Sequence, residues 1–140
     1  MTSLTLVRQI KASPASVYEA FTRPEEIAQW WGPDAGPVLI AEADVRVGGR
    51  FRVRFRLLSG EEHESQGEYL EVVPDRRLRF SWRWIGESEH ESVVTVDIRP
   101  KAGGSELTFT HAQLPDDATR ESHRQGWEGA FAKLVRNLET

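Results

Sequence analysis

Arg50-Phe51-Arg52-Val53-Arg54-Phe55-Arg56-Leu57 alternates basic and apolar residues without a break, and Arg77-Leu78-Arg79-Phe80-Ser81-Trp82-Arg83-Trp84 follows nearly the same pattern. Successive side chains of an extended chain point to opposite sides, so each stretch reads as a strand with a wet arginine face and an oily face. The oily faces carry Phe51, Val53, Phe55 and Leu57 in the first and Leu78, Phe80, Trp82 and Trp84 in the second. Their cover decides function. A complete cover makes a core, whereas an incomplete one leaves a pocket walled by Phe and Trp.

The surrounding sequence supplies the neighbours. Val38 to Asp44, His63 to Val73, Ser92 to Arg99 and Leu107 to Ala112 also read as strands, the second of the quoted stretches running on to Ile85. Gly48-Gly49, Ser59-Gly60, Pro74-Asp75, Gly86-Glu87-Ser88 and Gly103-Gly104 between them carry turn chemistry, so six strands joined by short links predict an antiparallel meander. Turning at Lys101 to Gly104 sets Ile98 against Leu107, Val96 against Phe109 and Val94 against His111. Turning near Glu87 sets Phe80 against Val96 and Trp82 against Val94. A turn at Ser59 to Glu61 opposes Arg56 to Glu64 and Arg52 to Glu68, and it puts Tyr69 inside. Glu71 would then also point inward unless a bulge precedes Val72.

Leu4 to Ile10 adds a first strand. Ser13-Pro14 joins an N-cap to a proline at the first helical position and predicts a helix to about Thr22. Pro24 opens a second short helix with Glu25 and Glu26 in its first turn, ending near Trp30-Trp31-Gly32-Pro33. Beyond Leu114-Pro115, Asp116-Asp117 opens a helix to about Leu138. In it Trp127, Ala130, Phe131, Leu134 and Leu138 recur at helical spacing, with His123 one turn earlier on the same face. This stripe is the cover. Gly126 and Gly129 inside it each cost about 1 kcal/mol relative to Ala, which points to close backbone approach or to space left unfilled.

At 140 residues the chain fits one domain, 1–140, with a substantial core. The lack of Cys excludes disulfides, thiolate metal sites and a Cys nucleophile, and it is compatible with a reducing cytosol. No signal-peptide core and no membrane-length apolar run are present, so a soluble, cytoplasmic protein is expected. A net charge of -4 gives no general attraction to nucleic acid or to an anionic membrane, so neither is expected as a partner.

Strand, two short helices, meander and long terminal helix resemble the helix-grip architecture of the START-like (SRPBCC) superfamily. This is an α+β fold in which a curved antiparallel sheet of about seven strands wraps around a long C-terminal helix. Arg8-Gln9-Ile10-Lys11-Ala12 before Pro14, Pro24-Glu25 leading to Trp30-Trp31-Gly32-Pro33, and Asp44-Val45-Arg46-Val47-Gly48-Gly49-Arg50-Phe51 narrow the resemblance. They are similar to the branch of ATPase activator homologues of the ninety-kilodalton heat-shock protein. Gly67-Glu68-Tyr69 with Pro74, Leu78 to Trp82, Leu107-Thr108-Phe109-Thr110-His111 and His123-Arg124-Gln125-Gly126-Trp127 carry it over nearly the whole chain. The resemblance implies a cavity for a hydrophobic ligand more directly than a reaction. It also implies two alternatives. One is an enzyme of the polyketide cyclase/dehydrase or hydrolase type using the same pocket. The other is a chaperone-interacting module, although relatives that stimulate the chaperone carry a further N-terminal domain that is not seen here.

Phe55, Phe80, Trp82, Trp84 and Phe109 on the sheet, facing Trp127 and Phe131 on the helix, are the candidate ligand-binding walls. Filling the space beneath the helix is the alternative role. His111, His123 and Tyr69 are the polar candidates that would orient a small hydrophobic or aromatic molecule, or move a proton; each His can equally be a hydrogen-bonded core residue. Trp30-Trp31 read as a plug at one end of the sheet, and a plug can double as a gate. Glu-His-Glu-Ser occurs at Glu62 to Ser65 and again at Glu89 to Ser92, so His63 and His90 could share a metal; an acidic solvated rim fits the spacing better. Arg8, between Leu6 and Ile10, suggests a buried ion pair with Asp44 or Glu42. No Ser-His-acid or Cys-His spacing marks a nucleophile and no cofactor motif is present, so no catalytic residue is assigned. A homodimer is compatible with this reading.

Overall fold

Local chemistry places the helices where the sequence predicts them. The computed structural model describes residues 1–87 and 90–140. Strand β1 (Thr2–Ile10) leads to α1 (Pro14–Thr22), where the Ser13 side chain accepts a hydrogen bond from the Ser16 amide at 3.1 Å. Helix α2 (Pro24–Trp30) follows directly, with Glu25 and Glu26 at its positive end. The C-terminal helix α3 (Asp117–Leu138) is capped by Asp116, whose carboxylate accepts from the Thr119 amide at 2.7 Å. No helix among the described residues is long and apolar enough to cross a membrane.

Between α2 and α3 run β2 (Val38–Ala43), β3 (Arg50–Arg56), β4 (Glu62–Val73), β5 (Arg77–Trp84), β6 (Ser92–Lys101) and β7 (Gly104–Leu114). They form one seven-stranded antiparallel sheet in the order β1-β7-β6-β5-β4-β3-β2, a meander closed on one side by the first strand. Its inner face packs against α3 through buried Trp127, Ala130, Phe131 and Leu134. This is the expected helix-grip arrangement.

The β6–β7 register is the expected one, with Ile98 opposite Leu107 and Val94 opposite His111. Two other hairpins close two residues tighter than expected. Phe80 faces Val94 and Trp82 faces Ser92, while Arg56 faces Glu62 and Arg52 faces Gln66. In the β3–β4 hairpin the Leu57 carbonyl takes the Gly60 amide at 2.8 Å, and Gly60 adopts φ 95°, open to glycine. A shift of two keeps every side chain on its face, so the oily side survives the error. The bulge needed to turn Glu71 outward is present between Tyr69 and Glu71, and Glu71 pairs with Arg77 at 2.9 Å.

The arginine face is zipped by acids. Arg52 reaches Glu64 at 2.9 Å, Arg54 reaches Glu62 at 2.8 Å and Arg56 reaches Glu62 at 3.2 Å. Glu64 is only 5% exposed, and its hydrogen bond from Arg52 holds its carboxyl below the usual range against the opposing effect of burial. Arg8 departs from expectation. It sits on β1 at one sheet edge and bonds the Val7 carbonyl, whereas Asp44 and Glu42 lie at the β2 end, beside Arg46 and Arg52. The sheet order separates them.

Candidate functional site

A cleft of about 510 Å³ opens between the first half of α3 and the β3–β4–β5 end of the sheet. Phe55 and Leu57 come from β3 and its turn, His63 from β4, Trp82 and Trp84 from β5, and Glu87 from the turn after it. Helix α3 supplies Ser122, His123, Gln125, Gly126, Trp127 and Ala130, and the loop after α2 supplies Trp31, Gly32 and Pro33. The rings interlock beside this space. Trp31 stacks on Trp82 at 5.5 Å and 15°, and Trp127 meets both edge-on at 5.4 and 5.2 Å. Trp84 stands perpendicular to Trp82 at 5.3 Å and stacks on His123 at 5.8 Å.

Glycine spacing on α3 explains how helix and loop meet. A Cβ on Gly129 would lie 2.2 Å from the Pro33 carbonyl oxygen, so the backbones touch there. One at Gly126 would find only Pro33 Cβ at 3.8 Å, an ordinary contact at the cleft wall. The two glycines answer both halves of the expectation. Lys133 then ties the loop down, its Nζ donating to the Asp34 carbonyl at 2.6 Å and to that of Trp31 at 3.3 Å. Burial lowers the Lys133 pKa.

The polar groups divide into a core relay and a rim. Trp127 Nε1 donates to His111 Nδ1 at 3.1 Å; because indole can only donate, that imidazole nitrogen carries no proton. His111 Nε2 therefore holds the hydrogen and gives it to Ser92 Oγ at 2.7 Å, whose own hydroxyl turns to the Trp82 carbonyl at 3.5 Å. Both nitrogens are committed. His111 is fully buried, and burial, followed by nearby His123 at a ring separation of 4.6 Å, pushes its pKa well below the ordinary value. His123 Nε2 accepts from Trp84 Nε1 at 3.4 Å, and burial lowers its pKa to about 4.

His63 at the mouth behaves oppositely. Burial opposes its charge, but Glu87 on Nδ1 and Glu61 on Nε2, each at 2.6 Å, raise its pKa overall. His90 points elsewhere, with Nε2 2.6 Å from the Gln113 carbonyl oxygen, so His63 and His90 do not share a centre. Glu89 of the second Glu-His-Glu-Ser, and Ser88 of the predicted turn, lie outside the described residues.

These shifts make acid sensitivity an expected result. The unfolded chain protonates His111 and His123 below about pH 6.5, whereas the folded chain resists, so stability falls from there toward pH 4. The slope is at most about 1.4 kcal/mol per pH unit for each histidine. His63 contributes the other sign, stabilising below its unfolded pKa and losing that contribution as pH rises through the raised folded value. Urea midpoints at pH about 7 and 5 check the sum, and an equal or higher midpoint at the lower pH would contradict it.

Of the residues singled out from sequence, Phe55, Trp82, Trp84, His123 and Trp127 border the cleft. Tyr69 and Phe80 pack with Phe51 deeper along the sheet, at 6.0 and 5.1 Å from it. Phe109 and Phe131 meet at 4.9 Å beneath α3, and His111 lies in the relay, so these five belong to the surrounding core. The sequence candidates do not include Leu57 or Glu87, and they give Trp31, His63 and Gly126 other roles: an end plug or gate, a metal or rim histidine, and a point of close approach or unfilled space. The Trp30-Trp31 doublet held the signal. Trp30 turns into the core and donates to the Ala20 carbonyl at 2.9 Å, whereas Trp31 turns to the cleft.

Residues 11–139 match the family described as Activator of Hsp90 ATPase homolog 1-like protein. The chain belongs to that family. A Chromobacterium violaceum protein of known structure is 29% identical, with a TM-score of 0.91 over 99% of this chain and 97% of its own. The AHSA1 protein of Silicibacter pomeroyi is 24% identical, with a TM-score of 0.87 over 98% and 97% of the two chains. An AHSA1-like protein of Aeromonas hydrophila, at 20% identity, gives 0.82 over 96% and 90%. No curated protein matches. For this AHSA1 family member, the comparisons carry the helix-grip fold over its full length.

Proposed function

We propose that this AHSA1 family member binds a small hydrophobic or aromatic molecule in the cleft between sheet and α3. The observation that carries this is the 510 Å³ space bordered by four indoles and Phe55, a volume within the roughly 300–1,000 Å³ of small-molecule sites. Burying a flat ring against these walls releases water from apolar surface, at about 25 cal/mol per Å². His123 and Ser122 stand at the wall to fix its orientation, while the His111 relay holds Trp127 at its angle.

Gly126→Leu tests the site without touching the sheet. Its side chain projects beside Pro33 toward the open volume and replaces a helix glycine, so folding stability is expected to hold or rise by about 1 kcal/mol. Ligands recovered by native mass spectrometry from the parent protein should vanish from this variant. Equal recovery from both would place binding elsewhere.

A further inference from the structure

Resting on the cleft as a ligand site, we infer that its occupant is a ring compound bearing a protonated amine, which meets the indole walls and the Glu87 carboxylate at the mouth. The charge inventory carries this. Among the described lining residues none is Lys or Arg; the charged or chargeable ones are Glu87, His63 and His123. His63 lies between Glu61 and Glu87, so this rim cluster keeps a net negative charge whether or not the imidazole is protonated. His123, across the cleft, is held neutral by burial.

Bases on the elements that flank the cleft are committed elsewhere. Arg124 on α3 faces Glu121 at 3.6 Å, Arg56 is held by Glu62, and Lys133 is bound to two carbonyls behind the Trp31 loop. An anionic ligand would therefore bring a carboxylate into a partly dry site where, among the described lining residues, the one group that can carry positive charge at neutral pH, His63, is already held between Glu61 and Glu87. A cation finds the opposite. Tryptophan is the strongest of the aromatic partners for a cation, and Trp31, Trp82, Trp84 and Trp127 all border the space. The ring of such a ligand keeps the apolar contacts while its ammonium reaches the rim.

Three probes of one shape and different charge separate these terms: phenethylamine, phenethyl alcohol and hydrocinnamate. Each is titrated at pH about 7 and low salt, following the indole N–H signals by NMR, where electrostatic discrimination is least screened. The amine is expected to bind roughly tenfold or more tighter than the acid, with the alcohol between them. Glu87→Gln should cut the advantage of the amine over the alcohol severalfold, leaving the part that the indoles supply. Equal or tighter binding of the acid or alcohol overturns the charge assignment while the cleft reading stands, as does an unchanged amine-to-alcohol affinity ratio in Glu87→Gln. Saturation by none of the three, with no indole signal moved, overturns the cleft reading and this inference together.

Discussion

Replacing His111 by Leu is expected to destabilise the fold by about 2–4 kcal/mol. The variant leaves Trp127 Nε1 without its acceptor and Ser92 Oγ without its donor, in a place where water does not reach, since His111 is fully buried and Trp127 and Ser92 nearly so. An orphaned indole N–H and a hydroxyl left with only its 3.5 Å bond to the Trp82 carbonyl outweigh any gain from inserting an apolar side chain. Urea unfolding measures the loss, which should appear as a lower midpoint with an unchanged slope. The same variant should show a shallower decline of stability below pH about 6.5, because one buried neutral imidazole has gone. A change below about 0.5 kcal/mol would mean that the relay does not stabilise the fold.

Gly129→Ala is the second large effect, expected to cost about 2 kcal/mol although Ala is the better helix former by about 1 kcal/mol. Its Cβ would sit 2.2 Å from the Pro33 oxygen, and that oxygen belongs to backbone held in place by Lys133. Either α3 lifts or the loop moves, and Trp31 moves with the loop. Gly126→Ala is the matched control. Three residues earlier on the same helix and free of such a contact, it should gain about 1 kcal/mol, so the two variants differ in sign. Thermal unfolding of both checks this, and two stabilised variants would show that the helix and loop are not in close contact.

Those two glycines mark where sequence reading stops. Both break the same helical pattern at the same propensity cost, yet one is a backbone contact and the other an open wall. Propensity is local, and the Pro33 carbonyl that distinguishes them comes from a loop about a hundred residues away. The tryptophan doublet behaves alike. Adjacent residues at a helix end point in different directions, so one of Trp30 and Trp31 had to face away from the core of α1 and α2. Which one reached the cleft depended on how α3 pinned the loop.

The histidines show the same division. Alternation along β7 is enough to put His111 on the oily side, and helical spacing is enough to align His123 with Trp127. Neither pattern says where the protons sit. Only the meeting of Trp127 with His111, and of His111 with Ser92, assigns the tautomer and turns a candidate acid-base group into a structural one.

Strand faces, helix positions and the helix-grip order follow from periods of two and 3.6 residues, because each periodicity is a property of the local backbone. Hairpin register followed in full for β6–β7 and only as to face for β3–β4 and β5–β6, where a slip of two residues preserves which side is oily. The cleft itself is tertiary. Its walls depend on how α3 meets the loop after α2 at Gly129 and Pro33, and its rim charge depends on turns that bring Glu61 and Glu87 to opposite sides of His63.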